Sequence, residues 1–132
     1  KLVKLVNHLP VLPFGGISAK RSFIAVENLI AYIDQTIIQK TQGVVLFCDT
    51  PALSTTVLVL MISRCLHKKR LLIKLPGFLI QCGKWLIPHI FERVYGSFEL
   101  DNSYTVDRMK LEQRISAEKS ICNMINKKNK YK

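Results

Sequence analysis

The residues best equipped for chemistry lie in one stretch, LPFGGISAKRSFIAVENLIAYI, residues 12–33. Pro13 and the Gly15-Gly16 pair predict an extended, glycine-containing loop. Behind that loop, Lys20 and Arg21 lead directly into an apolar run. A guanidinium placed there offers a planar fork that can hold two oxygens of one anion; the plainer reading is a surface arginine. Elsewhere catalytic pairings are scarce. His8, His67 and His89 have no partner at a useful spacing, the serines mostly precede helical runs, and no GxSxG, HExxH, P-loop or GxGxxG turn occurs. Cysteines 48, 65, 82 and 122 each sit inside an apolar run without a CxxC pair, which predicts buried reduced thiols rather than disulfides or a metal site. The chemistry on offer is anion binding, with no nucleophile set beside a base.

Elements must hold these groups in place. KLVKLVNHL predicts a short amphipathic helix stopped by Pro10, followed by an extended VLPFG loop. RSFIAV reads as a short buried strand or an extended entry, and Val26, Leu29, Ile30, Ile33 and Ile37 mark one face of the next helix. GVVLFCD is apolar throughout, so it predicts a central strand covered on both faces. Ser54 caps a helix whose buried stripe is Leu58, Met61, Ile62, Cys65 and Leu66. HKKRLLIKLP turns back into a strand. Pro76 opens a helix with Phe78, Leu79, Cys82 and Leu86 on one side, and Phe78 and Trp85 read as core. Pro88 breaks it, IFERVYG adds further turns ended by Gly96, and SFELDNS is a short strand. Ser116 caps a last helix through Ile121, Met124 and Ile125. Strands alternating with helices define an α/β class: a small mixed domain of short strands and about five helices.

At 132 residues and 48% hydrophobic, the chain can bury one core. Its net charge of +11 points to an anionic partner, and more than half of that charge falls between Arg108 and Lys132. The end of that segment, 126–132, reads as a basic disordered tail. No signal peptide is evident, and the longest apolar stretch, ALSTTVLVLMISRCL, is too short for a membrane span.

In its order of motifs the chain resembles the C-terminal, substrate-binding part of extended short-chain dehydrogenase/reductases, the NAD-dependent sugar-nucleotide epimerases and dehydratases. The nearest likeness is to bacterial UDP-glucose and UDP-N-acetylglucosamine 4-epimerases. There a stretch LPLPFGxxxNxRSFVxVxNLVxxI is typical; Leu12, Pro13, Phe14, Gly15, Lys20, Arg21, Ser22, Phe23, Val26, Asn28 and Leu29 match it. Asp49, Leu53, Ser54 and Thr55 match a second segment, LVSDGEDLST, and Arg93, Gly96, Ser97, Asp101 and Ser103 a third, xRLxGSLxVDxS. Ala19 and Tyr104 replace the family's usual Asn and Lys, and MKLEQR stands where the family has LGWxPP.

The resemblance implies the C-terminal part of a Rossmann-type enzyme, with residues 1–125 as the substrate-binding region. It implies a UDP-sugar as ligand. Pro13, Phe14 and Gly15 would pass the uracil and Arg21 would meet the diphosphate. Arg93 is either a second phosphate contact or a solvated arginine, and Asp101 either touches sugar or shapes a turn. NAD would belong to the full-length parent and none is expected in this chain. The family's glycine-rich NAD turn and YxxxK pair would lie upstream of Lys1, so no catalytic residue is expected here and the chain alone should be inactive. It also implies a cytoplasmic protein in polysaccharide precursor synthesis. GVVLFCD would lack its sheet neighbours, so the fragment is expected to self-associate. The competing reading is a small basic module for nucleic acid or an anionic membrane surface. It rests on charge alone and lacks a nucleic-acid motif.

Overall fold

The computed structural model describes residues 2–86 and 96–130. Six helices and four two-residue strands run through these residues: α1 (Leu2–His8), β1 (Val11–Leu12), β2 (Lys20–Arg21), α2 (Val26–Ile38), β3 (Leu53–Ser54), α3 (Thr55–Cys65), β4 (Leu71–Leu72), α4 (Gly77–Leu86), α5 (Ser103–Met109) and α6 (Ala117–Lys130). The α/β class therefore holds. β1 pairs in parallel with β4, and β2 pairs antiparallel with β3, Arg21 opposite Leu53.

The main core forms where α1, α3 and α6 meet: Val6, Leu12, Val59, Ile62 and Ile125 are buried together, with Phe14, Leu58 and Ile121 packed against them. Ile62 belongs to the stripe expected on α3. Ser54 caps that helix as expected, accepting the Val57 N–H at 3.2 Å, and Ser116 accepts the Lys119 N–H at 3.4 Å before α6. A smaller cluster joins Tyr32 of α2 to Met109 and Leu111, with Phe47 and Val106 around it.

Several expectations are corrected. GVVLFCD forms no strand: its Asp49 N–H bonds to Phe23 O and its Leu46 N–H to the Thr105 hydroxyl, while Val44 is 89% exposed. Apolar composition marks a segment that can be covered but supplies no neighbour to pair with. On α2 the aliphatic face of Val26, Ile30, Ile33 and Ile37 is exposed, and the helix buries Asn28, Ala31 and Tyr32 instead. Trp85 and Phe78, expected in the core, lie on the surface of α4. Cys65 and Cys122 form a disulfide, with Cα atoms 5.1 Å apart, because the packing of α3 on α6 juxtaposes residues 57 apart in sequence. Cys48 is a buried free thiol and Cys82 an exposed one. SFELDNS contributes only a bridge from Phe98 to Arg21; its end gives way to α5. α6 continues through Lys130, into the segment read as a disordered tail. Arg93 and most of IFERVYG lie outside the described residues.

Candidate anion-binding site

Arg21 sits at a junction of three chain segments. Its backbone pairs with Leu53 on one side and bridges Phe98 on the other. Ser22 N–H donates to Phe98 O and Phe98 N–H to Lys20 O, both at 2.9 Å, and Leu100 N–H donates to the Ser22 hydroxyl at 2.9 Å. The half-buried Arg21 side chain donates from Nε to Gly96 O at 3.1 Å. The segments 20–23, 53–54 and 96–100 are thus held together by backbone bonds, with Arg21 between them.

A second lock lies one turn further on. Asn28 is wholly buried, and both ends of its amide are satisfied. Nδ2 donates to Asp49 Oδ1 at 2.8 Å and to Ile115 O at 2.9 Å; Oδ1 accepts from the Arg114 and Ile115 N–H groups at 3.1 and 3.0 Å. Asp49 Oδ2 accepts from Ala25 N–H at 2.7 Å, fixing the residue that precedes α2. Asn102 Nδ2 donates to Cys48 O at 2.8 Å. Asn28 therefore ties the first turn of α2 to the backbone of residues 114–115. Asp49 and Thr56 were not foreseen as anchors. An acid ending an apolar run was the available signal for Asp49.

The Pro13–Ile17 loop is held by Thr56, whose hydroxyl donates to Phe14 O at 2.6 Å and accepts from Ile17 N–H at 3.0 Å. Gly15 N–H donates to Ile73 O at 2.9 Å, and a Cβ on Gly15 would stand 2.7 Å from Ile73 C and 2.8 Å from Ile73 O. The protein's own β4 backbone already requires glycine there. Phe14 packs against the main core.

Two cavities adjoin the junction. One, of about 420 Å³, is lined by Ser22, Cys48, Asp49, Glu99, Asp101 and Asp107 among others. Its carboxylates oppose an anion. Asp101 Oδ1 accepts from Ser103 N–H at 2.9 Å in a turn leading into α5, and hydrogen bonds from the Ser103 hydroxyl and N–H hold its carboxyl below the usual carboxylate range. Burial pushes the Cys48 thiol up, against a lowering hydrogen bond with Ser22; Asp49 and Asp101 add to the rise. The Tyr32 hydroxyl is raised by burial first and then by Asp49 and Cys48. The other cavity, of about 590 Å³, lies between α2 and α6 and is lined by Phe23, Val26, Ile30, Ile121, Met124 and Lys127 among others. Of the expected ligand residues, Asp101 lines the smaller cavity, whereas Pro13, Phe14, Gly15 and Arg21 line neither.

Among the described residues three strands run into helices: β2 into α2 through 22–25, β3 directly into α3 with Ser54 as the cap, and β4 into α4 through 73–76; none of these connecting residues is a glycine. No group of three His, Cys, Asp or Glu residues is placed to hold a metal among the described residues. No helix among them is long and apolar enough to cross a membrane. No protein-family model, curated protein or solved structure matches the chain.

Proposed function

We propose that this chain is the sugar-nucleotide-binding part of an NAD-dependent epimerase or dehydratase resembling UDP-hexose 4-epimerases, acting in polysaccharide precursor synthesis. One observation carries the reading. The three segments that carry the resemblance, far apart in sequence, converge on Arg21: Leu53 pairs with it, Phe98 bridges it and Gly96 O accepts its Nε–H. Asn28 and Asp49, from the first and second motifs, are also bonded to each other. In this reading Arg21 holds the diphosphate, Pro13 to Gly15 pass the uracil, and a separate nucleotide-binding half brings NAD. The acidic cavity beside Asp101 then faces the neutral sugar rather than the phosphates.

The test is to titrate UDP by calorimetry into the protein extended through the coding sequence upstream of Lys1. Arg21→Ala should weaken UDP by roughly one to two powers of ten, the worth of a charge-assisted contact of about 1.5–3 kcal/mol. Arg21→Lys should recover part of that, because an ammonium keeps charge and loses the fork; Lys20→Ala should do much less. Equal UDP affinity in Arg21→Ala and the parent sinks the reading.

A further inference from the structure

The region around α4 has a composition and an exposure that the sugar-nucleotide reading does not use. From Thr50 to Phe91 the chain contains no Asp or Glu, while Lys68, Lys69, Arg70, Lys74 and Lys84 follow one another along β4 and α4. On α4, Phe78, Cys82, Trp85 and Leu86 recur at the spacing of one helical face, and all four are exposed: Phe78 67%, Trp85 85% and Leu86 69%. Leu71 and Ile73, just before the helix, are exposed as well. Neither cavity is lined by a residue of α4.

The basic turn is built in place. Arg70 donates from Nε to Val6 O at 2.7 Å and from a terminal nitrogen to Asn7 O at 3.0 Å, and Lys68 Nζ donates to Asn7 Oδ1 at 2.8 Å. These cations are anchored on neutral oxygens and form no ion pair among the described residues. Lys69 and Lys74 stand exposed beside them.

We propose that α4 and the basic segment leading into it dock on the surface of an anionic lipid bilayer. The occupant follows from charge. A second copy would bring the same basic segment, with no acid from 50 to 91, against itself, and like charges would repel. A bilayer with anionic headgroups instead supplies the missing negative charge, while its interface takes Phe, Trp and Leu. Ten residues of helix extend only about 15 Å, half the hydrocarbon thickness, so α4 lies along the interface and does not cross it. Trp85 would sit at headgroup level, where an indole finds both apolar contact and a hydrogen-bond partner.

Trp85 is the chain's single tryptophan and serves as the reporter. Titrating phosphatidylglycerol vesicles into the chain should shift Trp85 emission to the blue, and phosphatidylcholine vesicles should bind at least about tenfold more weakly. Near such a surface each cation contributes about fivefold in affinity, so Lys69→Glu with Lys74→Glu should cost about 25-fold or more in vesicle cosedimentation. Phe78→Ser should also lower cosedimentation, with helix content by circular dichroism unchanged. The proposal is overturned by unchanged emission at millimolar anionic lipid or by equal binding to both vesicle types. It is also overturned if the blue shift tracks protein concentration in a sedimenting dimer and lipid adds nothing. UDP titration is read on a different surface, so the two proposals fail separately.

Discussion

Replacing Asn28 by alanine removes four hydrogen bonds from a fully buried position. The losses are unequal. Asp49 keeps the Ala25 N–H on its other oxygen, and Ile115 O keeps the Gln113 amide at 3.1 Å. The Arg114 and Ile115 N–H groups lose the acceptor they share. Each such orphan costs about 1–3 kcal/mol, and losing a donor to a carboxylate adds to it, so Asn28→Ala should destabilise by about 3–5 kcal/mol. That is a large part of the roughly 5–15 kcal/mol available to a domain. Urea unfolding followed by circular dichroism gives the number. Asn28→Asp separates the chemistry from the shape, since it puts a second carboxyl where Nδ2 stood, 2.8 Å from Asp49 Oδ1. Two such carboxyls share a proton, which raises a folded-state pKa above its unfolded value. The stability of Asn28→Asp relative to the parent should then be greatest below the unfolded carboxylate pKa of about 4 and be lost as pH rises through the folded value. An unchanged urea midpoint for Asn28→Ala, or a pH-independent deficit for Asn28→Asp, would refute the network as the lock between α2 and residues 114–115.

Three further outcomes are expected. Gly15→Ala forces a Cβ against the Ile73 backbone, which cannot swing aside, and should cost about 1–3 kcal/mol or more in urea unfolding, whereas Gly43→Ala, with open space around it, pays only for its positive φ. Under non-reducing conditions Ellman's reagent should label Cys82 fast and Cys48 only on unfolding, with Cys65 and Cys122 released by reductant. Cys48 and Tyr32 both have raised folded-state pKa values, so their contribution is complete below the unfolded values of about 8.5 and 10 and is lost as pH rises through the folded ones; melting between pH 8 and 11 should fall, less steeply in Cys48→Ala.

What the sequence disclosed, and what it hid, follows from the range of the signals. Caps act over three residues, so Ser54 and Ser116 were legible. Pro76 placed the start of α4 within a residue. Partnering is non-local. Periodicity on α2 showed an aliphatic face but not which face the chain would cover, and the covered one holds Asn28 and Tyr32 because Asp49 and the 109–115 segment fold against it. Cys65 and Cys122 have no spacing rule between them; only the packing of α3 on α6 pairs them. At the candidate site, the segments that carry the motifs lie side by side, and several of their residues serve the chain itself. Gly15 serves the β4 backbone, and Asp101 spends an oxygen on its own turn.

Arg21 carries two duties that come apart experimentally. Its place is fixed by main-chain bonds to Leu53 and Phe98, which any residue at position 21 can make. The bond from Nε to Gly96 O, by contrast, belongs to the side chain. If holding its own chain were its whole purpose, Arg21→Ala would cost stability, the Gly96 bond alone contributing about 0.5–1.5 kcal/mol, and UDP affinity would not move once folding is complete. A diphosphate contact predicts the reverse weighting: a modest loss in unfolding free energy beside a ten- to hundredfold loss of UDP. Arg21→Gln sharpens the contrast. Its amide can still donate to Gly96 O but brings no charge to an anion, so it should restore stability and leave UDP binding as weak as in Arg21→Ala. Full recovery of UDP binding by glutamine would make Arg21 a clamp for its own chain, and the anion site would have to be sought elsewhere.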